Sequence, residues 1–340
     1  MSRLTSLALV LGLSALLVRL PLRGAAAAPA PVPLIDLHVD LAYQHGYEGR
    51  SFARATGQFP ASELVSAGVE GVVLPLFVPR RVSPSGPRLE DLEASYARVF
   101  AELARTEPYA FPGCLAPPGR TRTWLAFEGA GPLAGRPDAL ASWVARGVRS
   151  VGLVHTRANA LASSSGDPAP QPFGLTDQGR ELVRAAHALG VPIDVSHASS
   201  RALSDVVELA REARVPVIAT HSNARALADH PRNLSDRELR AIAGTGGVVG
   251  VNFHSPYLAR GRRATLRDVV RQIRHLVRVM GADHVAIGSD FEGDITPPGE
   301  LGDVRALPAL AAALEADGLS RDAIERVFAG NARRVLCAGR

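Results

Sequence analysis

The stretch LIDLHVDLAYQ (34–44) places Asp36, His38 and Asp40 at every second position, so a strand there would aim all three side chains from one face. Further along, single polar residues close other apolar runs. Glu128 does so in TWLAFEG (123–129), His155 in VRSVGLVH (148–155) and His197 in VPIDVSH (191–197). His221 ends VPVIATH (215–221), and Asp290 stands near the end of HVAIGSDF (284–291). Imidazoles and carboxylates together are the donor set of zinc and similar divalent ions. His38, Asp40, Glu128, His197 and His221 make five candidate ligands. Five are too many for one catalytic zinc that keeps an open position, and they suit two ions sharing a bridge. Glu128 is the natural bridge, because a carboxylate offers two oxygens and its run lies between those of the other pairs. His38 and Asp40 would then hold one ion, His197 and His221 the other. Two such ions can hold a hydroxide between them and polarise a carbonyl. Asp290 is left over as the carboxylate that handles protons.

Each signal is weak alone. A single histidine at a strand end is more often a structural hydrogen-bonding group, Glu128 could cap a helix or pair with an arginine, and His-x-Asp recurs by chance. Position decides between the readings. There are eight short apolar runs: 34–40, 69–78, 123–129, 148–155, 191–197, 215–221, 246–253 and 284–291. Amphipathic helical patterns lie between them, at 88–105, 177–190, 200–213, 235–244 and 265–281. Thr176 and Ser235 sit where N-caps belong, and Gly190 and Gly281 where helices would stop. Strands alternating with helices imply a parallel sheet, and eight such units imply one α/β domain, a (β/α)8 TIM barrel. Barrel enzymes build their sites at the C-terminal ends of the strands. Every candidate falls at such an end. His187 and His275 instead lie inside helical patterns and read as packing or surface residues, while His254, after the seventh run, is a candidate to line the cup.

The barrel is expected over residues 31–340. Residues 1–30 read as a signal peptide or N-terminal anchor with its linker. Arg3 precedes the apolar run 4–18, Ala25-Ala26-Ala27 fits a cleavage pattern, and PAPVP (29–33) is a stiff connector. The run is short for a membrane span, and Arg19 and Arg23 follow it where signal peptides are usually uncharged. The chain is therefore expected to be exported, periplasmic or secreted, with membrane anchoring through the N-terminus as the alternative. The formal net charge is +5, and every basic residue is arginine. The arginines are scattered among acids, which argues against a nucleic-acid surface. Cys114 and Cys337 cannot make a Cys-rich zinc site, and the sequence leaves their pairing open. A homodimer is compatible with all of this.

The constellation resembles the renal or membrane dipeptidases, the M19 metallopeptidases of the metal-dependent amidohydrolase superfamily. The carriers are DLHVD (36–40), AFEGAG (126–131), LVHTRAN (153–159), IDVSHAS (193–199), IATHSNAR (218–225), HPRNLSD (230–236) and AIGSDFEG (286–293). The resemblance implies a zinc-dependent dipeptidase that cleaves small dipeptides with a free C-terminal carboxylate through a metal-bridging hydroxide. It implies two zinc ions, one on His38 and Asp40, one on His197 and His221, with Glu128 between them. It also implies Asp290 as catalytic aspartate, His155 as a contact for the substrate and the tetrahedral intermediate, and Arg232 as receptor of the substrate carboxylate. The bidentate guanidinium suits that last role. The sequence departs from the family pattern in three places. Gly-Ala-Gly-Pro (129–132) stands for Gly-Gly-His, Asn159 falls one place late after Arg157 and Ala158, and Ser289 and Glu292 stand for Gly and Asp. These touch the wall of the cup, not its ligands, so substrate preference is what they put in question. The alternative is another amidohydrolase reaction, on N-acyl amino acids, lactams or other small amides. A non-catalytic barrel would be expected to lack a ligand, and here none is missing.

Overall fold

A computed structural model describes residues 31–84 and 86–338. The export-signal reading concerns residues 1–30 and lies outside the described residues. The strands are β1 (Leu34–Asp36), β2 (Val69–Leu76), β3 (Tyr109–Ala110), β4 (Thr121–Glu128), β5 (Val148–Gly152), β6 (Ile193–Asp194), β7 (Ile218–Ala219), β8 (Val248–Val251) and β9 (Val285–Ile287). Eight of them follow each other in the order β2-β1-β9-β8-β7-β6-β5-β4, and a β2–β4 pairing closes the ring. Each of the eight apolar runs thus supplies one barrel strand, and the helices surround it. The short β3 adds only Tyr109 and Ala110 to the start of β4.

The strands read as continuous apolar runs because both of their faces are covered. Alternate residues split between two clusters. Ile35, Val73, Trp124, Ile218, Val248 and Ala286 gather with Ala332, Val335 and Leu336 of the C-terminal helix Asn331–Leu336. The other alternates, such as Leu74, Leu125, Val249 and Ile287, join the larger cluster shared with the outer helices. Hydrogen bonds place that last helix at the N-terminal end of the barrel. Asn331 Nδ2 donates to Val285 O at 2.8 Å, and Arg334 Nη1 donates to Gly246 O at 2.7 Å. A disulfide between Cys114 and Cys337 fastens it to the segment preceding β4, with Cα atoms 5.7 Å apart.

The expected helices form within a residue or two of their predicted bounds, at Leu89–Leu103, Asp177–Ala188, Ser200–Ala213, Asp236–Ala243 and Leu266–Met280. Thr176 Oγ1 accepts from Gly179 N at 3.1 Å, and Ser235 and Glu238 form a reciprocal capping box. The segment after β1 is also helical, Leu41–Glu48, and stops at Gly49 with φ 68°.

The ladders stop earlier than the apolar runs. Two buried carboxylates take over backbone N–H groups that a longer ladder would have used. Asp36 Oδ1 accepts from His38 N and Ser289 N, both at 3.0 Å. Asp194 Oδ1 accepts from Ser196 N at 3.0 Å and Thr220 N at 3.1 Å. The chain is thereby free to turn its next side chains over the barrel mouth. Glycine makes room for one of these crossings: a Cβ on Gly250 or Gly288 would lie 2.1 or 1.7 Å from Thr220 O.

Candidate active site

All the residues singled out at strand ends meet above the barrel. Glu128 is the last residue of β4 and stands at the centre. Its Oε1 lies 3.0 Å from His197 Nε2, 3.5 Å from His38 Nε2, 3.6 Å from His221 Nε2 and 3.9 Å from His155 Nε2. His38 Nε2 is 3.7 Å from Asp40 Oδ2, and the Nε2 atoms of His197 and His221 are 3.0 Å apart. The five expected ligands are all buried. Asp290 joins His38 and Asp40 in one group of potential donors, and His155 joins Glu128 and His197 in another. A third group is His38, Glu128 and His221, and within each group the donor atoms lie within 4.8 Å of one another.

Two residues that sequence reasoning passed over set the direction of the imidazoles. Thr220 Oγ1 donates its single proton to Asp194 Oδ2 at 2.5 Å. Its lone pairs then accept from His38 Nδ1 at 3.2 Å and His221 Nδ1 at 2.9 Å. Both rings therefore carry their proton on Nδ1, and both Nε2 lone pairs face the cup. That tautomer suits a metal ligand, and a polar partner behind the ring is how proteins fix it. Thr220 directly precedes His221, and Asp194 comes three residues before His197, so both lie inside the strand-end motifs that first drew attention. Asp36, the third polar residue of the opening stretch, plays a similar part by holding the backbone of His38.

The electrostatics fit a bound divalent cation. Burial pushes His38 down to about 4, and it lowers His197 and His221 well below the usual imidazole range. The imidazoles are thus neutral donors. Burial raises the Asp40 carboxyl well above its ordinary range, with Glu128 and Asp290 adding repulsion. Asp290 is pushed up to about 7 by burial and then by Glu128. Carboxylates crowded with neutral imidazoles repel one another unless a cation lies among them. His38 Nε2 has no hydrogen-bond partner among the described residues, as an atom reserved for a ligand would not.

Asp290 is held in an uncommon backbone conformation, φ 65°, with Glu292 at 70° and Asp294 at 57° close behind. Non-glycine residues enter this region at a cost of order 1–2 kcal/mol each, and persist only where the surroundings fix them. Here Asp290 N donates to His38 O at 3.0 Å, and Asn252 Nδ2 donates to Asp290 Oδ2 at 2.8 Å. The buried Glu292 carboxylate pairs with Arg54 and accepts from Gln58 N at 2.7 Å and Phe59 N at 2.8 Å. The glutamate that departs from the family pattern therefore anchors the Asp290 loop to the segment before β2.

Arg232 reaches the same cup from the loop after β7 and is 6% exposed. Its Nη2 lies 3.3 Å from His197 Nε2 and 3.4 Å from His221 O. Nε and Nη1 are buried without partners among the described residues, and the Tyr257 ring lies 5.7 Å from the guanidinium carbon. The cup is a cavity of about 300 Å3, lined also by Phe77, His155, His254 and Asp290. Of the two helical histidines, His187 is buried, and His275 bonds Asp236 at 2.7 Å; neither lines the cup.

A family model described as membrane dipeptidase, peptidase family M19, matches residues 23–338. The uncharacterised protein in the pqqA 5' region of Klebsiella pneumoniae is 45% identical over 219 residues, 62% of this chain and 79% of that protein. Dipeptidase tcpJ of Claviceps purpurea is 33% identical over 220 residues, 64% of this chain and 51% of that protein. The matched region spans about half the length of the fungal dipeptidases. Among solved structures, a metallopeptidase from Rhodobacter sphaeroides liganded with a phosphinate mimic of L-Ala-D-Ala has a TM-score of 0.80 at 27% identity, covering 90% of this chain and 99% of that one. The probable dipeptidase PvdM from Pseudomonas aeruginosa has a TM-score of 0.80 at 25% identity, covering 90% and 94%.

Proposed function

The chain belongs to the membrane dipeptidase family, peptidase family M19, a family of metallo-dipeptidase hydrolases, and we propose that it hydrolyses small dipeptides with a free C-terminal carboxylate, using two zinc ions. The observation that carries this reading is Arg232. A buried guanidinium with two nitrogens unpartnered among the described residues, 3.3 Å from an imidazole of the cup, asks for a planar anion at that spot. A substrate carboxylate held there places the neighbouring peptide bond over Glu128. The likeness to a metallopeptidase liganded with a dipeptide mimic supports the same substrate class.

In this reading His38 and Asp40 would hold one zinc and His197 and His221 the other, with the Glu128 carboxylate, close to His38, His197 and His221, available to both. When bound, the ions supply a water ionised near neutral pH and an electrophile for the scissile carbonyl. Arg232 binds and orients the substrate carboxylate. His155, at the rim beside Glu128, donates to the oxyanion that develops as the carbonyl is attacked. Asp290 Oδ1, not engaged by Asn252, takes the proton of the attacking water and returns it to the leaving amine.

We also propose that the protein works outside the cytoplasm. The Cys114–Cys337 disulfide supports it, since such bonds persist in oxidising compartments. Among the described residues no helix is long and apolar enough to cross a membrane.

Arg232→Ala tests the substrate class. It lowers kcat/KM for a free-carboxylate dipeptide by roughly ten- to a hundredfold and leaves the corresponding dipeptide amide much less affected. Wild-type protein that cleaves the amide as fast as the free acid would remove Arg232 from this role and favour a more general amidohydrolase.

A further inference from the structure

A second chamber of about 560 Å3 adjoins the cup. The two spaces share Phe77, Glu128, His155 and Thr156, so a substrate bound over Glu128 can extend into both. Cations line this chamber too. Arg80 and Arg157 are exposed and have no carboxylate partner among the described residues. The other polar groups near them are engaged. Arg88 pairs with Glu90 and Asp91. The Asp167 carboxylate accepts from Ala158 N at 3.1 Å and Ser164 N at 3.2 Å. The Asn159 amide donates to Leu153 O at 2.9 Å and accepts from Leu161 N at 2.8 Å.

Two of the three departures from the family pattern fall here. Gly129, Gly131, Arg157, Ala158 and Asn159 all line the chamber. Gly131 stands where the pattern has an imidazole, with the Asn159 amide packed 3.0 Å from where its Cβ would lie, and Arg157 belongs to the segment that delays Asn159, which adds charge. Resting on the dipeptidase reading, with Arg232 taking the C-terminal carboxylate, we propose that this chamber receives the side chain of the substrate's N-terminal residue, and that Arg80 and Arg157 select an acidic one. The preferred substrates are then glutamyl and aspartyl dipeptides.

Glu-Ala, Gln-Ala and Lys-Ala isolate the charge, because Glu and Gln differ little in shape. Wild-type enzyme is expected to show kcat/KM for Glu-Ala about tenfold or more above Gln-Ala, with Lys-Ala lowest. The preference shrinks in high salt, since both guanidiniums are exposed. The double substitution Arg80→Glu with Arg157→Glu reverses the order to Lys-Ala over Glu-Ala, a gain that a misfolded protein cannot give. Glu-Ala and Gln-Ala within twofold of each other in wild type, or an order untouched by the double reversal, overturns the proposal while leaving the dipeptidase reading intact. No cleavage of these three or of Ala-Ala overturns both.

Discussion

Thr220→Val replaces one hydroxyl by a methyl group of nearly the same volume, in a residue 1% exposed beneath the cup. The lost oxygen has four partners: Asp194 Oδ2 at 2.5 Å, His221 Nδ1 at 2.9 Å, and His38 Nδ1 and Ser196 Oγ, both at 3.2 Å. Asp194 Oδ2 loses its donor, but Oδ1 keeps three, Ser196 N, Ser196 Oγ and Thr220 N, and stays satisfied. The two imidazoles do not. Each loses the acceptor that fixes its proton on Nδ1, and each can then turn or exchange tautomers. Removing a partner behind a metal-binding histidine weakens the metal by about ten- to a hundredfold, or about 1.4–2.7 kcal/mol. Because Thr220 stands behind one histidine of each proposed zinc pair, both ions should weaken together. The buried Nδ1–H groups left unmatched also lower stability of the metal-free protein by about 1–3 kcal/mol. Competition with a chromophoric chelator measures the zinc affinities, and thermal unfolding of metal-free protein measures the stability. Thr220→Ser keeps the oxygen and should stay near wild type in both. A folded Thr220→Val protein that binds both zincs within twofold of wild type would refute the tautomer argument.

Asp290→Asn should keep the fold and the zinc content but lose turnover by about a hundred- to ten-thousandfold, because the proton carrier is gone; metal analysis beside steady-state kinetics checks both halves. Away from the cup, Arg262 holds the Asp268 carboxyl down to about 2. A folded value below the ordinary 3.8 means its stabilisation is complete above that ordinary value and fades as pH falls through 2. Asp268→Asn should therefore lower stability by about 1 kcal/mol at pH 6, a figure discounted because Arg262 is half exposed, and the gap to wild type should close between pH 4 and pH 2.

The barrel was legible in the sequence because a parallel strand covered on both faces must be apolar throughout, and eight such runs alternate with helices. The cup was legible because strand ends are where a barrel puts its chemistry, and His38, Asp40, Glu128, His155, His197, His221 and Asp290 all come together there. Less could be read of what holds them. Thr220, held by Asp194 of β6, touches His38 after β1 and His221 after β7, and such crossings depend on the closed ring, not on local spacing. The early end of β1 and β6 was hidden for the same reason, since Asp36 and Asp194 satisfy backbone groups of other segments. The Cys114–Cys337 bond joins residues 223 positions apart, and only packing of the last helix under the barrel brings them together.

The central claim is that this cup works with two zinc ions. Protein stripped by a chelator and back-titrated with zinc, assayed on an L-L and an L-D dipeptide, tests it most directly. The account predicts no hydrolysis from the stripped protein and activity that rises to a plateau at two zinc ions per chain. Full hydrolysis by the metal-free protein, or a plateau at one zinc per chain, would contradict it.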